Sequence, residues 1–145
     1  MKEIQKWELL ESKDVSPSPW FPLYVDKVKL PNGKIVDDYY VSKLGDVAMI
    51  VAITPEKEII FVRQYKHGVK EIILELPAGR LDKKTPGEAA KDELKEETGI
   101  IADTLISLGK VYVAPSKDST VTHSFLLNNA KMKYEQELDE TEQIE

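Results

Sequence analysis

Glu93, Glu96 and Glu97 stand at relative positions i, i+3 and i+4 in the run KDELKEETGI. On a helix that spacing brings all three carboxylates to one face. Taking about 100° per residue and Glu93 as zero, Glu97 falls at about 40° and Glu96 at about 300°. Ala90 then lies at about 60°, Leu94 at about 100° and Ala89 at about 320°. The glutamates thus share the side of the small apolar residues, which is expected to face the protein. Glu88, Lys91, Asp92 and Lys95 take the other side. A merely solvated acidic helix would hold its glutamates away from Ala and Leu. Like charges gathered on an inward face are costly unless a cation neutralises them. The expected chemistry is therefore that of a bound divalent metal, and carboxylate oxygens favour Mg²⁺ or Mn²⁺.

The elements that must position these residues lie between Leu76 and Ile100. An apolar strand end runs into Pro77-Ala78-Gly79, a charged loop follows, and Thr85-Pro86-Gly87-Glu88 reads as a helix start. Thr85 can cap the free amides, Pro86 suits the first helical position and Glu88 can close a capping box. Gly99 is placed to end the helix. Upstream, an N-terminal strand and the breaker run Ser16-Pro17-Ser18-Pro19 precede a hairpin of Tyr24–Leu30 and Ile35–Ser42 around Pro31-Asn32-Gly33-Lys34. Val47–Ile53 is a continuous apolar run of strand length, expected to be buried on both faces. Strands are expected over Glu58–Tyr65, Glu71–Leu76, Leu105–Val113 and Val121–Leu127. Strands on both sides of one strong helix give an α+β or α/β/α sandwich on a mixed sheet.

The run Glu93-Leu94-Lys95-Glu96-Glu97-Thr98-Gly99-Ile100, preceded by Gly79, resembles the Nudix box. The resemblance implies that Glu93 and Glu97 are the main carboxylate ligands of Mg²⁺, with Glu96 a further or water-bridged one. It implies the carbonyl of Ala78 as a backbone ligand. Two positions depart from the box. Asp92 stands where the family has Arg, and Lys84 or Thr85 where it has its first Glu, because the loop after Gly79 is one residue short. In the family that Arg pairs with that Glu to hold loop and helix together. Here the pair is expected with its charges swapped, Asp92 bonding to Lys83 or Lys84.

The stretches YYVSKLGDVAMIVAI, IIFVRQYKHGV and EIILELPAGRLD extend the likeness to the ADP-ribose pyrophosphatase branch of the family, from about Trp20 onward. That branch places Arg63 on the diphosphate and Glu75 near the site, and a guanidinium suits paired phosphate oxygens. The plainer reading of Arg63 and Glu75 is a strand-edge salt bridge. The branch stacks adenine on N-terminal aromatics, which points to Trp20, whereas an ordinary core or interface role is the plainer reading. Thr120 stands at or near a loop Glu of the relatives, and Asp118 is the acidic residue able to substitute. The run Leu138-Asp139-Glu140-Thr141-Glu142 resembles the loop that carries the catalytic base, with Glu140 the better candidate and Glu142 its neighbour. A solvated acidic end is the alternative. Relatives continue into a C-terminal helix, whereas this sequence stops at Glu145.

The 145 residues are expected to form one Nudix-like domain: N-terminal strands over 1–45, a possible dimerisation region, and a catalytic core over 46–145. A net charge of −6 argues against generic nucleic-acid or anionic-membrane binding. Without cysteine there is no disulfide, thiolate zinc site or catalytic Cys. His67 and His123 have no ligand spacing. The charged start and the lack of a membrane-length apolar run make a cytoplasmic enzyme the default. The resemblance implies a Mg²⁺-dependent homodimer that cleaves a small nucleotide-sugar substrate, ADP-ribose giving AMP and ribose 5-phosphate. Two alternatives stay open: a Nudix-fold nucleotide-binding module with little or no turnover, and another nucleotide sugar such as GDP-mannose.

Overall fold

The structure is a computed structural model that describes residues 3–138, 140, 141 and 143–145. It divides into two compact units, Met1–Gly45 with Tyr112–Thr120, and Asp46–Val111 with Val121–Glu145.

The first unit carries an antiparallel sheet of β1 (Glu8–Asp14), β2 (Leu23–Lys29) and β3 (Ile35–Ser42) in sequence order. The expected hairpin forms. Gly33 N–H donates to the Leu30 carbonyl at 2.8 Å, and Gly33 adopts φ 86°, a left-handed conformation that glycine takes without strain. Every residue of β1 is exposed. Trp7 meets Tyr39 edge-on at 5.7 Å between ring centroids, and the Lys43 ammonium sits 3.9 Å over the Tyr24 ring.

The second unit holds a mixed four-stranded sheet. Its members are β4 (Val47–Ile53), β7 (Ala78–Arg80), β8 (Ile106–Tyr112, its last residue counted with the first unit) and β9 (Val121–Asn128), in the order β7-β4-β9-β8. β4 runs parallel to β9, with Val47 opposite Thr122 and Ile53 opposite Asn128. It runs antiparallel to β7, with Ala48 opposite Gly79. A separate antiparallel pair joins β5 (Val62–Lys66) to β6 (Glu71–Glu75).

The apolar run of β4 is not uniformly buried. Ala48, Ile50 and Ala52 are fully buried, and the alternate residues are half-buried. The helix α1 (Pro86–Thr98) supplies the reason: it packs on β4 and β7, and Ala89, Ala90 and Leu94 meet the fully buried face of β4. Ile100, Ala102 and Ala130 complete this core. Two stretches differ from expectation by more than a residue at a strand end. β5 begins at Val62 rather than Glu58, because the turn at Thr54–Glu58 leaves only an isolated bridge between Ile53 and Ile59. Residues 78–80, which follow the expected end of the strand Glu71–Leu76, pair with β4 as a strand of their own, β7. Among the described residues no helix is long and apolar enough to cross a membrane.

Candidate active site

Helix α1 begins and ends as its sequence dictates. Thr85 accepts from the Glu88 amide at 3.4 Å, and the Glu88 carboxylate accepts from the Thr85 amide at 2.9 Å. The Thr85 hydroxyl, and after it the Thr85 amide, hold the Glu88 carboxyl below its ordinary value. Gly99 closes the helix at φ 69°, its amide donating to the Lys95 carbonyl at 2.8 Å. A Cβ at Gly99 would stand 2.0 Å from the Tyr134 carbonyl oxygen, so the following chain packs directly on this glycine.

The three helix glutamates take three different environments. Glu97 is only 4% exposed, and its Oε2 accepts from the Ala78 amide at 3.0 Å. Glu93 is half-buried and lies against Gly79, where a Cβ would come within 1.9 Å of its Cδ. Glu96 is exposed, contrary to the expectation of three inward carboxylates. It stands at the edge of the arc buried by Ala89, Ala90 and Leu94, where a long side chain reaches water. Two carboxylates thus converge from α1 on the short strand β7, which the Gly79-to-Ala48 pairing fixes on the sheet.

Among the described residues, no three His, Asp or Glu side chains gather closely enough to form a metal cage by themselves. The donor set nevertheless suits a hard divalent cation. Such ions are commonly held by one or two carboxylates, with waters and substrate phosphates completing the shell. Gly79 is the cradle that leaves room for the Glu93 carboxylate.

The shortened loop reaches the helix through two successive left-handed residues, Asp82 at φ 42° and Lys83 at φ 76°. That conformation is unfavourable for side chains with a Cβ. It delivers Lys84 to Asp92, with Nζ to Oδ2 at 2.8 Å. The swapped pair expected from the sequence is therefore present, with Lys84 as the partner. The hydrogen bond and charge of Asp92 raise the Lys84 pKa, with further contributions from Glu96 and Glu93. Because both side chains are about half exposed, at 48% each, the pair contributes little to stability and acts on position. Asp92→Arg alone is expected to lower turnover by setting Arg against Lys, and adding Lys84→Glu is expected to restore it, as steady-state kinetics would record.

Arg63 and Glu75 do not pair. Arg63 stands opposite Leu74 and Glu75 opposite Val62, so strand alternation puts the two side chains on opposite faces of β5–β6. Arg63 pairs instead with Glu145, and Glu75 with Lys66 at 3.2 Å. Glu140 lies in an exposed turn, and Glu142 lies outside the described residues. His123 approaches Asp46 at 3.8 Å and His67 the Tyr65 hydroxyl at 3.1 Å, each without a second histidine.

Two residues beyond the helix, Gln136 and Glu137, make contacts with it that had no signal in the sequence. Gln136 donates through its side-chain amide to the Glu97 carbonyl at 2.5 Å. The Glu137 amide donates to the Glu96 carbonyl at 2.9 Å, while its carboxylate takes the Lys95 ammonium at 2.8 Å. Both tie residues 136–137 to the last turn of α1 across some forty positions, a separation that no local pattern reports.

In the first unit Trp20 is 83% exposed. Asp118 is engaged by its own loop and by the end of β3. Its Oδ1 accepts from the Thr120 amide at 2.6 Å, and its Oδ2 from the Ser42 hydroxyl. Burial raises its pKa, but hydrogen bonds from Ser42, Thr120 and Leu44 outweigh that and leave it lowered. A carboxyl depressed in the folded state stabilises fully above its unfolded value, here 3.8, and loses that contribution as pH falls through the folded value. Asp118→Asn is therefore expected to lower the melting temperature by a constant amount at neutral pH. The gap to the wild type should close below the ordinary carboxylate range in a pH series of thermal melts.

The sheet, the glycine-cradled carboxylates and the capped helix define a Nudix fold, and comparison with known proteins agrees. Residues 43–145 match the NUDIX domain, and residues 7–42 the nucleoside diphosphate sugar hydrolase N-terminal domain. The chain belongs to the Nudix family and is a pyrophosphohydrolase of that class. It is 36% identical to the ADP-ribose pyrophosphatase of Bacillus subtilis (strain 168), over 99% of this chain and 75% of that one. It is 33% identical to the methanol dehydrogenase activator of Bacillus methanolicus, over 87% and 71% of the two chains. The crystal structure of an ADP compounds hydrolase superposes with a TM-score of 0.84 at 28% identity, covering 100% of this chain and 78% of that one.

Proposed function

We propose that this protein hydrolyses the diphosphate bond of ADP-ribose, releasing AMP and ribose 5-phosphate, with Mg²⁺ or Mn²⁺ as the metal. The observation that carries this reading is the convergence of Glu93 and buried Glu97 on Ala78-Gly79. The likeness to ADP-ribose pyrophosphatases over nearly the whole chain supports the choice of substrate.

Glu93, Glu97 and the Ala78 carbonyl would hold the cation, with Glu96 reaching it through water from its exposed position. When bound, the metal supplies polarisation of the phosphates and acidification of a coordinated water. The Ala78 amide fixes the orientation of the Glu97 carboxylate, and Gly79 leaves Glu93 the space it occupies. Glu140, exposed in its turn, would take the proton from the attacking water.

A panel of ADP-ribose, GDP-mannose and other nucleotide sugars with Mg²⁺, scored for nucleoside monophosphate and phosphosugar release, tests the reading. AMP and ribose 5-phosphate as the fastest products uphold it. Faster turnover of GDP-mannose reassigns the substrate, and nucleotide binding without release overturns the hydrolase in favour of a binding module.

We also infer that the protein is a homodimer joined through its first unit. The reading is supported by the apolar side chains that this unit leaves exposed, among them Trp20, Leu9 and Tyr40. Light scattering at micromolar concentration is expected to give twice the mass of the chain. A monomer would also remove any role for Trp20 across subunits.

A further inference from the structure

Residues 143–145 lie along the edge of β5 as a short added strand. Ile144 bridges Gln64 in antiparallel sense and is buried. The Arg63 amide donates to the Glu145 carbonyl at 2.8 Å, and the Glu145 amide donates to the Arg63 carbonyl at 3.0 Å. Two residues that exchange both backbone bonds are direct cross-strand neighbours, so their side chains project from the same face. The side chains use that proximity: Arg63 Nε donates to Glu145 Oε2 at 3.1 Å, and a second guanidinium nitrogen donates to the same oxygen.

This joint also sits at a boundary. A cavity of about 680 Å³ is lined by Glu97, Val62, Leu138 and Glu145. A second, of about 400 Å³, is lined by Arg63, Tyr65, Leu138 and Glu145. Leu138 and Glu145 line both, so the residues on either side of Glu140 in the sequence border the cavity of the buried helix carboxylate as well as that of Arg63.

We propose that Arg63 and Glu145 form a clamp that positions the segment carrying Glu140 beside the helix carboxylates. The proposal rests on Glu140 as the group that activates water in the reading above. Arg63 is here a positioning residue, committed by four hydrogen bonds to Glu145 and set on the face of β5–β6 opposite to Glu75. Ile144 fixes the depth of the added strand, and the ion pair fixes its register against β5. An exposed ion pair gives little global stability, so the consequence of breaking it is local.

The test is a charge-swap cycle in the full chain: Arg63→Glu, Glu145→Arg and the double variant, assayed with ADP-ribose and Mg²⁺. Each single variant is expected to lower kcat about three- to fivefold, in keeping with one exposed ion pair. KM should stay unchanged, the melting temperature should move little, and the double variant should recover kcat. A large rise in KM for Arg63→Glu that Glu145→Arg neither shares nor repairs would overturn the clamp and place Arg63 directly on the diphosphate. Hydrogen exchange of the Arg63 and Glu145 amides gives a readout independent of turnover. Faster exchange in the singles and restored protection in the double support the clamp even if ADP-ribose is not a substrate. Equal exchange in all four proteins overturns it.

Discussion

Glu97→Gln is expected to reduce turnover by about 10²-fold or more, the scale seen when one preorganised electrostatic contact is removed from an active site. Glu97 is the most buried of the helix carboxylates, and its Oε2 is held by the Ala78 amide at 3.0 Å. Glutamine keeps an oxygen for that amide and nearly the same volume, so the packing of α1 on β7 should survive. What it loses is a negative charge beside Glu93. The substitution relieves like-charge repulsion on the helix face, so the metal-free protein should melt at or slightly above the wild-type temperature. Isothermal titration should show weaker Mg²⁺ binding in the same variant. Wild-type metal affinity together with wild-type turnover would remove Glu97 from the ligand set.

Gly79→Ala is expected to separate activity from stability in a different way. A Cβ at this position would stand 1.9 Å from Glu93 Cδ and 2.0 Å from its Oε1, so the carboxylate has to move. Gly79 does not adopt a left-handed conformation, so alanine meets no backbone penalty there. The atoms in the way are the far end of a flexible side chain, which rotates at small cost. The fold should therefore hold, with a melting temperature within a few degrees of the wild type. Metal affinity and kcat should both fall strongly, by about 10²-fold in kcat on the same scale. A variant that unfolds would assign Gly79 to packing, and one that retains full activity would show that the observed position of Glu93 is not required.

Helix α1 was fully legible in the sequence, because its signals are local. Thr85, Pro86, Glu88 and Gly99 each act within one turn, and the structure places them at the cap, the first turn and the close of a helix over Pro86–Thr98. The hairpin around Gly33 and the boundaries of β4 were legible for the same reason. Strand β7 was not. In the sequence residues 78–80 are only the place where a strand ends and a charged loop begins, and the Gly79-to-Ala48 pairing makes them a strand of their own. The helical wheel placed Glu97 inward correctly but grouped Glu96 with it. Periodicity gives an angle, and whether a side chain at the edge of an arc is covered depends on what packs there.

The sequence by itself determined the helix, its caps, the grouping of acidic residues on it and the pairing of Asp92 with the loop lysines. The first three follow from residues a few positions apart, and the pairing followed from the resemblance, which sets position 92 against the loop before the helix. Tertiary structure alone decided which carboxylates converge. Glu93 and Glu97 are distinguished from Glu96 by the approach of β7, which β4 holds in place. It alone decided that Arg63 faces Glu145 rather than Glu75, since strand register assigns each side chain to one face of β5–β6. Arg63 and Glu145 lie 82 positions apart, and a contact over that distance exists only once the sheet has formed.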